Sequence, residues 1–301
     1  MGLNAEQIEK IAGLIQSSSS KDVLQGIALF EQWDANDADL TSLFPNIHTT
    51  WMQKEIRQHL SELKYKYSSF LSVWFLGTMA QWDKGISERI RDVKIESWES
   101  IPQCLQNLGH LEHLDCSHIY RLEWPNTLTE FPNLTSLNLS FCSAAAVNNI
   151  PLGHLTTLQR LDLTGCGLQK LPDWITTLTQ LQHLSLGGML WGWDNGNTNS
   201  LTELPETISQ LTQLQTLDLS LNNLSSLPKG FSALRELKSL NLTHNKISQI
   251  PEVLTSLTNL QSLDFSNDLD PMYAQNETKN TVPVDEKERI RSLLPNCRIS
   301  F

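Results

Sequence analysis

A group of potential metal ligands, His110, His113, Cys116 and His118, lies within nine residues of this 301-residue chain. Imidazole and thiolate side chains are common zinc ligands. The repeat pattern described below places Cys116 inward, whereas His113 and His118 point outward. Side chains on opposite faces of one strand cannot converge on a single ion, so we expect no metal site here.

Residues suited to enzymatic chemistry are scarce in the rest of the chain. The sequence has no nucleophile elbow, phosphate-binding loop, dinucleotide fingerprint or HExxH pair. We therefore predict a protein that is not an enzyme and uses no cofactor. The alternative is an enzyme with a site in its N-terminal helices, where the available residues are Asp34, Asp37, Asp39, His48 and His59.

The composition indicates a folded protein with an acidic surface. Hydrophobic residues make up 40% of the chain and charged residues 18%, which suits a packed core. The net charge of −11 would repel a phosphate backbone. We expect no nucleic-acid partner and favour another protein with a basic surface.

No targeting segment is visible in the sequence. The first residues, MGLNAEQIEK, lack a basic region followed by an apolar run. The most apolar stretch, residues 70–80, is about half the ~20 residues that a membrane helix needs. Five cysteines without a framework spacing favour reduced thiols. These features predict a cytoplasmic protein that does not enter a membrane.

An internal repeat is the strongest pattern in the chain. The segments LQTLDLSLNNLSSLP from Leu214 and LKSLNLTHNKISQIP from Leu237 both follow L-x-x-L-x-L-x-x-N-x-L-x-x-L-P. Other copies start at positions 111, 134, 158, 181 and 260, and a degenerate first copy near Ile90 has Val93 and Ile95 as core positions. Alternation within each copy predicts a short strand with its leucines inward. Stacked copies then form a parallel sheet on the concave side of a solenoid.

Two further positions of the repeat predict how each copy is closed. The ninth position is Asn222 or Asn245 in the best copies and Cys142 or Cys166 in others. We expect the asparagine side chains to satisfy backbone groups of the turn that leaves the strand, and the cysteines to occupy the same structural position. After each Leu-Pro or Ile-Pro pair, apolar residues recur at every third position, which predicts a short helical or 3₁₀ return.

These residues resemble the 23-residue class of leucine-rich-repeat (LRR) proteins, which has one Leu-Pro pair per repeat. The chain is similar to plant intracellular LRR proteins and their bacterial relatives over roughly residues 90–301. The resemblance implies an α/β solenoid, a horseshoe with a parallel concave sheet. It also implies a binding role without naming the ligand.

Both ends of the repeat array are predicted to carry caps. Residues 285–294 have the spacing of an amphipathic helix, and residues 297–299 predict a final strand, so a C-terminal cap covers about residues 285–301. Residues 1–85 lack the repeat and predict an all-α cap or a separate interaction region. Its helices are expected at 4–16, with Asn4 as N-cap, and at 21–33, 50–66 and 68–82. The LRR domain then spans residues 86–301.

The copy that starts at Leu181 is ten residues too long. The excess lies near residues 190–200, LWGWDNGNTNS, and is expected to loop out of the stack. Trp191 and Trp193 are candidate anchors for a partner. The alternative is that their rings fold back over the core edge. A second excursion, residues 268–284, is interpreted as a plain surface loop.

We predict a protein-binding scaffold or adaptor that acts through its concave face and this aromatic insert. The middle of the strands carries four aspartates, which form an acidic stripe for a basic partner or a merely solvated polar face. A carbohydrate-binding module that uses the exposed tryptophans is a further alternative. The predicted partner-binding residues are Asp115, His118, Phe141, Arg160, Asp162, His183, Trp191, Trp193, Asp218, His244 and Asp264.

Overall fold

The computed structural model describes residues 3–15, 88–95, 103–119, 131–150, 152–188, 198–267 and 279–301, with Asp22, Gln25, Gly26 and Leu29. The chain divides into two compact units. The first comprises residues 1–116 and 123–134, and the second comprises residues 117–122 and 135–301. The boundary near residue 85, between a helical region and a repeat domain, stays a prediction.

The first unit begins with helix α1, Ala5–Ile15. Asn4 accepts a hydrogen bond from the backbone N–H of Gln7 at 2.9 Å, and the Gln7 side chain accepts one from the backbone N–H of Asn4 at 3.0 Å. This reciprocal pair is a capping box and confirms Asn4 as the N-cap. Of the second predicted helix, only four residues are described, and all are helical. The predicted helices at 50–66 and 68–82 lie outside the described residues.

The first unit also contains the first two strands, β1 (Asp92–Lys94) and β2 (His113–Asp115). They pair in parallel with Val93 opposite Leu114. Ile90, Val93 and Ile95 are buried, which confirms the degenerate first copy of the repeat. A 3₁₀ helix, Gln103–Asn107, lies between the two strands in the chain.

The second unit contains seven parallel strands of three residues each, which confirms the predicted parallel sheet. The strands pair in chain order with the middle residue of each opposite the middle residue of the next. They are β3 (Ser136–Asn138), β4 (Arg160–Asp162), β5 (His183–Ser185), β6 (Thr216–Asp218), β7 (Ser239–Asn241), β8 (Ser262–Asp264) and β9 (Arg298–Ser300).

Most of the return segments are 3₁₀ helices, as the three-residue apolar spacing predicts. They span Leu152–His154, Asp173–Thr177, Glu206–Gln210, Lys229–Ala233 and Glu252–Ser256. In the last four, a proline with extended backbone angles occupies the N-cap position. Proline suits this place because its fixed φ is compatible with the first turn and its missing N–H costs no hydrogen bond. One copy differs, since a short α-helix, α2 (Ala144–Asn149), follows β3.

The asparagines at the ninth position form a buried ladder, which confirms their predicted role. The Asn222 amide oxygen accepts from the backbone N–H of Leu201 at 2.9 Å. Its amide nitrogen donates to the carbonyls of Leu186, Leu219 and Ser220 at 2.9–3.1 Å. Asn245 has the equivalent contacts one repeat later. Each amide therefore ties its own turn to the preceding repeat.

The structure corrects the prediction for the ten-residue insertion. Asn199, which we had placed in the protruding loop, is only 1% exposed and makes the ladder contacts. Its side chain accepts from Leu168 and donates to the carbonyls of Leu163, Leu186 and Gly187. The insertion therefore lies between the eighth and ninth positions of its repeat. The insertion ends at Asn199, whose buried side chain takes the ninth position, so the residues after it follow the repeat again.

The second excursion is corrected in the same way. Asn280 is buried, accepts from the backbone N–H of Ile247 at 3.0 Å and donates to the carbonyls of Leu242 and Phe265 at 2.8 and 3.0 Å. Val282 is buried as well. The end of this segment is thus part of the ladder and the core. Both long excursions are inserted between the eighth and ninth positions of their repeats, where the chain turns away from the sheet.

The C-terminal elements match their predicted positions within one residue. Helix α3 spans Val284–Leu293, and β9 pairs in parallel with β8. Arg289 of α3 forms salt bridges of 3.1 Å with Glu286 and with Glu252 of the preceding return segment. The ring of Phe301 stacks on that of Phe265 with centroids 5.7 Å apart. These contacts cover the last copy of the repeat.

Candidate binding face of the strand sheet

The open face of the second unit's sheet is formed by the first and third residues of its strands, while the middle residues of β3–β8 are buried. These side chains are exposed or half-buried, so the core does not require them. Residues of β3–β7 line a groove of about 550 Å³ on this face. The face therefore has the room and the polar side chains to hold part of another molecule.

Charges on the open face are separated into two rows. The row of first strand residues carries Arg160 and Arg298, and the exposed Lys238 directly precedes it. The row of third strand residues carries Asp162, Asp218 and Asp264. Two residues along a strand correspond to roughly 6.6 Å, so a basic row and an acidic row run side by side. His183 and neutral Asn, Ser and Thr side chains fill the other places and separate like charges.

The acidic row also has a structural role that the sequence reasoning missed. Asp162 accepts a hydrogen bond from the backbone N–H of Thr164 at 2.9 Å, and Asp218 accepts one from that of Ser220 at 2.9 Å. Asp264 and the asparagines at the same position do likewise. A carboxylate has two oxygens, so one can close the turn while the other can bind a partner. The available signal was Asp or Asn followed two residues later by Ser or Thr.

His183 lies in the basic row, where its surroundings disfavour the charged imidazole. Its Nδ1 atom is 2.7 Å from the Thr216 hydroxyl oxygen. Burial lowers the pKa of His183, and the positive charges of Arg160 and Lys238 lower that pKa further. The imidazole therefore contributes hydrogen bonding to the groove at neutral pH.

His118 and Phe141 form an aromatic pair at the edge of the sheet. Their rings stack with centroids 4.4 Å apart and an angle of 22° between planes. Both residues have left-handed backbones, with φ of 62° and 63°. The same conformation recurs at Leu221 and His244, so it belongs to the turn of the repeat. His118 is exposed and Phe141 half-buried, so the pair is accessible from solvent.

His244, predicted to be on the binding surface, is 3% exposed. It occupies the eighth position of its repeat, as do His118 and Phe141, and has φ of 51°. We had extended the alternation of the strand to this residue. The strand ends three residues earlier, so the turn and not the strand sets the direction of the side chain.

The other predicted site residues lie in different parts of the chain. Asp115 ends β2 in the first unit and is half-buried. Trp191 and Trp193 lie outside the described residues, so their anchor role stays a prediction. Cys116 is fully buried while His113 is exposed. Within the described residues, no group of three or more His, Cys, Asp or Glu side chains could hold a metal ion.

The short parallel strands, the asparagine ladder and the 3₁₀ returns together define a leucine-rich-repeat solenoid. A family model described as a leucine-rich repeat region matches residues 195–281, and one described as a leucine rich repeat matches residues 157–178. Leucine-rich repeats are thus identified in these two parts of the chain. Among the described residues, no helix is long and apolar enough to cross a membrane.

Several known proteins are similar to this chain in sequence or in structure. A leucine-rich-repeat protein of Leptospira interrogans is 30% identical, with a TM-score of 0.57, over 73% of this chain and 51% of that protein. Chaoptin of Tribolium castaneum is 29% identical in an alignment 156 residues long that covers 44% of this chain and 20% of chaoptin. The structure of a TLR13–ssRNA13 complex shares the fold, with 21% identity and a TM-score of 0.51 over 77% of this chain. The chain thus spans about half or less of these proteins.

Proposed function

We propose that this protein is a scaffold or adaptor that binds another protein on its open face. The observation that carries this proposal is the pair of charged rows beside a groove on a surface that the core does not need. A parallel sheet covered by its own return segments on one side leaves the other side available. The polar and charged residues on this side can bind the backbone and the charged side chains of a partner protein.

The charged rows suggest which partner would fit. A basic segment would face Asp162, Asp218 and Asp264, each of which has one carboxylate oxygen outside its own turn. Acidic side chains of the same partner would face Arg160 and Lys238. Opposite charges placed in this way fix the register of the partner and speed its association more than they raise affinity.

Aromatic anchors are proposed at the edge of the same face. The stacked His118 and Phe141 occupy the eighth position of their repeats. Gly188 occupies this position in the repeat with the insertion, and Trp191 and Trp193 follow it three and five residues later in the chain. Buried aromatic anchors contribute about 2 kcal/mol or more to binding. The partner would then cover the groove and this edge together.

The buried thiols fit the predicted cytoplasmic location. Cys116, Cys142 and Cys166 are buried and form no disulfide among the described residues. Burial raises the pKa of the Cys166 thiol, and so keeps it unreactive. A reducing compartment maintains such thiols, and we propose that the protein works there.

The experiment begins with affinity capture from cells of the source organism, and the captured protein is then measured in pure form by surface plasmon resonance. The test variant is Asp162→Asn with Asp218→Asn. Asparagine keeps the oxygen that closes the turn, as Asn138 and Asn241 show, so the fold should be unchanged. Surface charges contribute about 0.2–1 kcal/mol each. Association at low salt should slow roughly 2- to 30-fold and lose part of its salt dependence.

The matched control is Glu203→Gln with Asp285→Asn, two exposed acidic residues away from the open face. It removes the same charge and should leave association unchanged. A second variant, deletion of residues 189–198, joins Gly188 to the ladder residue Asn199 and should weaken binding at least tenfold through loss of both tryptophans. Equal association rates for test and control variants would show that the partner does not bind the open face.

A further inference from the structure

A second cleft lies in the same unit, between helix α2 and the segment that leads into the 3₁₀ helix Asp173–Thr177. Its volume is about 660 Å³, and it shares no lining residue with the groove of the open face. Small-molecule sites have volumes of roughly 300–1,000 Å³ and combine apolar or aromatic walls with a few polar groups. The volume of the cleft suits a small ligand, and its lining residues indicate the chemical class of that ligand.

The cleft exists because one copy of the repeat departs from the pattern. This copy has 24 residues, and Ser143 caps a short helix there by accepting from the backbone N–H of Ala146 at 3.2 Å. The helix begins with three alanines, whose small side chains leave room beside it. The first of them, Ala144, lines the cleft.

Trp174 forms the aromatic wall of this cleft. Its indole N–H donates to the carbonyl of Val147 at 3.3 Å, which fixes the plane of the ring against α2. The ring is half-buried, so part of its surface faces solvent. The equivalent residues in the following copies are Thr207, Gly230 and Val253, so the indole is specific to this copy.

The rim of the cleft is polar and carries no net charge. Its exposed side chains are Asn148, Gln169, Lys170 and Asp173. Within the part of the chain that the structure describes, these four side chains take part in no hydrogen bond or ion pair. Together they present both donors and acceptors to a ligand. One lysine balances one aspartate, so the rim favours a neutral ligand rich in hydroxyl groups.

From this arrangement we propose that the cleft binds a neutral oligosaccharide. The apolar face of a sugar ring would lie on the indole of Trp174, which offers a rigid, flat surface. The hydroxyl groups would bind the carboxamides of Asn148 and Gln169 and the carboxylate of Asp173. This assignment differs from the carbohydrate alternative predicted from Trp191 and Trp193, because it rests on another tryptophan and another part of the fold.

The test is isothermal titration calorimetry of the full chain with chitotetraose, cellotetraose and maltotetraose, each up to millimolar concentration. We expect saturable binding of at least one of them. The variant Asn148→Ala with Gln169→Ala should lower that affinity about tenfold or more, since each lost hydrogen bond weakens binding several-fold. Gln180→Ala with Gln210→Ala, two exposed glutamines outside the cleft, should bind as the unmodified protein does.

A second pair of variants separates stacking from folding. Trp174→Phe loses the bond to Val147 but keeps an aromatic face, whereas Trp174→Leu loses both. If the ring binds sugar, the leucine variant should bind much more weakly than the phenylalanine variant while their melting temperatures stay similar. Absence of saturable binding with all three sugars, or undiminished binding by the Asn148/Gln169 variant, would overturn the proposal. Neither result bears on the open face.

Discussion

Asn199→Ala should destabilise the fold more than the same change at any intact copy of the ladder. The Asn199 side chain accepts from the N–H of Leu168 at 2.9 Å and donates to the carbonyls of Leu163, Leu186 and Gly187 at 2.8–3.1 Å. Asn199 is also the point at which the insertion returns to the stack. Its loss therefore affects two neighbouring repeats.

The size of the destabilisation depends on which backbone groups lose their only hydrogen bond when the Asn199 side chain is removed. The Leu186 carbonyl still accepts from Asn222, and the Gly187 carbonyl still accepts from Gly165. The Leu163 carbonyl and the Leu168 N–H have no other hydrogen bond within the described residues. Each unsatisfied buried group costs about 1–3 kcal/mol, so Asn199→Ala should lower the free energy of unfolding by about 2–6 kcal/mol.

Asn222→Ala is the informative comparison. The three carbonyls that Asn222 contacts keep other donors, namely Asn199, Asn245 and the backbone N–H of Gly188. Only the N–H of Leu201 is left unpaired among the described residues. The expected loss is about 1–3 kcal/mol, half of that at Asn199. The difference arises because Cys166, and not an asparagine, occupies the ladder in the repeat before the insertion.

The assay is equilibrium urea unfolding followed by circular dichroism and tryptophan fluorescence. Asn223→Ala serves as the control, since this side chain is next to the ladder but makes none of its contacts. If Asn199→Ala and Asn222→Ala lowered the free energy of unfolding equally, the number of carbonyls that keep a second hydrogen-bond donor would not determine the effect. An unchanged midpoint for Asn199→Ala would show that the insertion does not depend on this residue to rejoin the stack.

Two further predictions concern the groove and the C-terminal elements. Because burial first, and then Arg160 and Lys238, lower the pKa of His183, its NMR titration should have a midpoint below the usual value, and Arg160→Gln should move that midpoint upward. A depressed imidazole pKa means that the unfolded chain binds more protons, so stability should fall as pH drops below about 6.5 and His183→Gln should flatten this decline. Deletion of residues 285–301 should expose Leu263 and Phe265 and cause aggregation in size-exclusion chromatography, whereas Val284→Ser, at a residue 71% exposed, should not. A truncated chain that is monomeric and unfolds cooperatively would contradict the role of α3 and β9 as a cap.

The repeat determined most of the fold at the level of sequence. The leucine spacing identified strands β2–β8, since period-2 alternation and a recurrence of about 23 residues predict parallel strands whose middle leucines are buried. The proline pairs located the 3₁₀ returns, and Asn4 and Gln7 marked the start of α1. These features could be predicted because they depend on contacts within one copy or between identical positions of adjacent copies.

Positions at which the pattern is interrupted could not be predicted in this way. Asn199 and Asn280 follow irregular segments, so the repeat count no longer identifies them as ladder residues. The structure identifies them because each amide closes the same set of backbone groups. His244 was misplaced for a related reason, since a left-handed turn ends the alternation that the sequence suggested.

The sequence by itself therefore determined the class of fold, the register of strands β1–β8 and the composition of the open face. The tertiary structure decided which polar side chains serve the backbone and which are available to a partner. It alone placed Trp174 beside α2, because that cleft depends on how an atypical helix of one copy packs on the return segment of the next. Periodicity describes what repeats have in common, whereas a specific site arises where one copy differs from its neighbours.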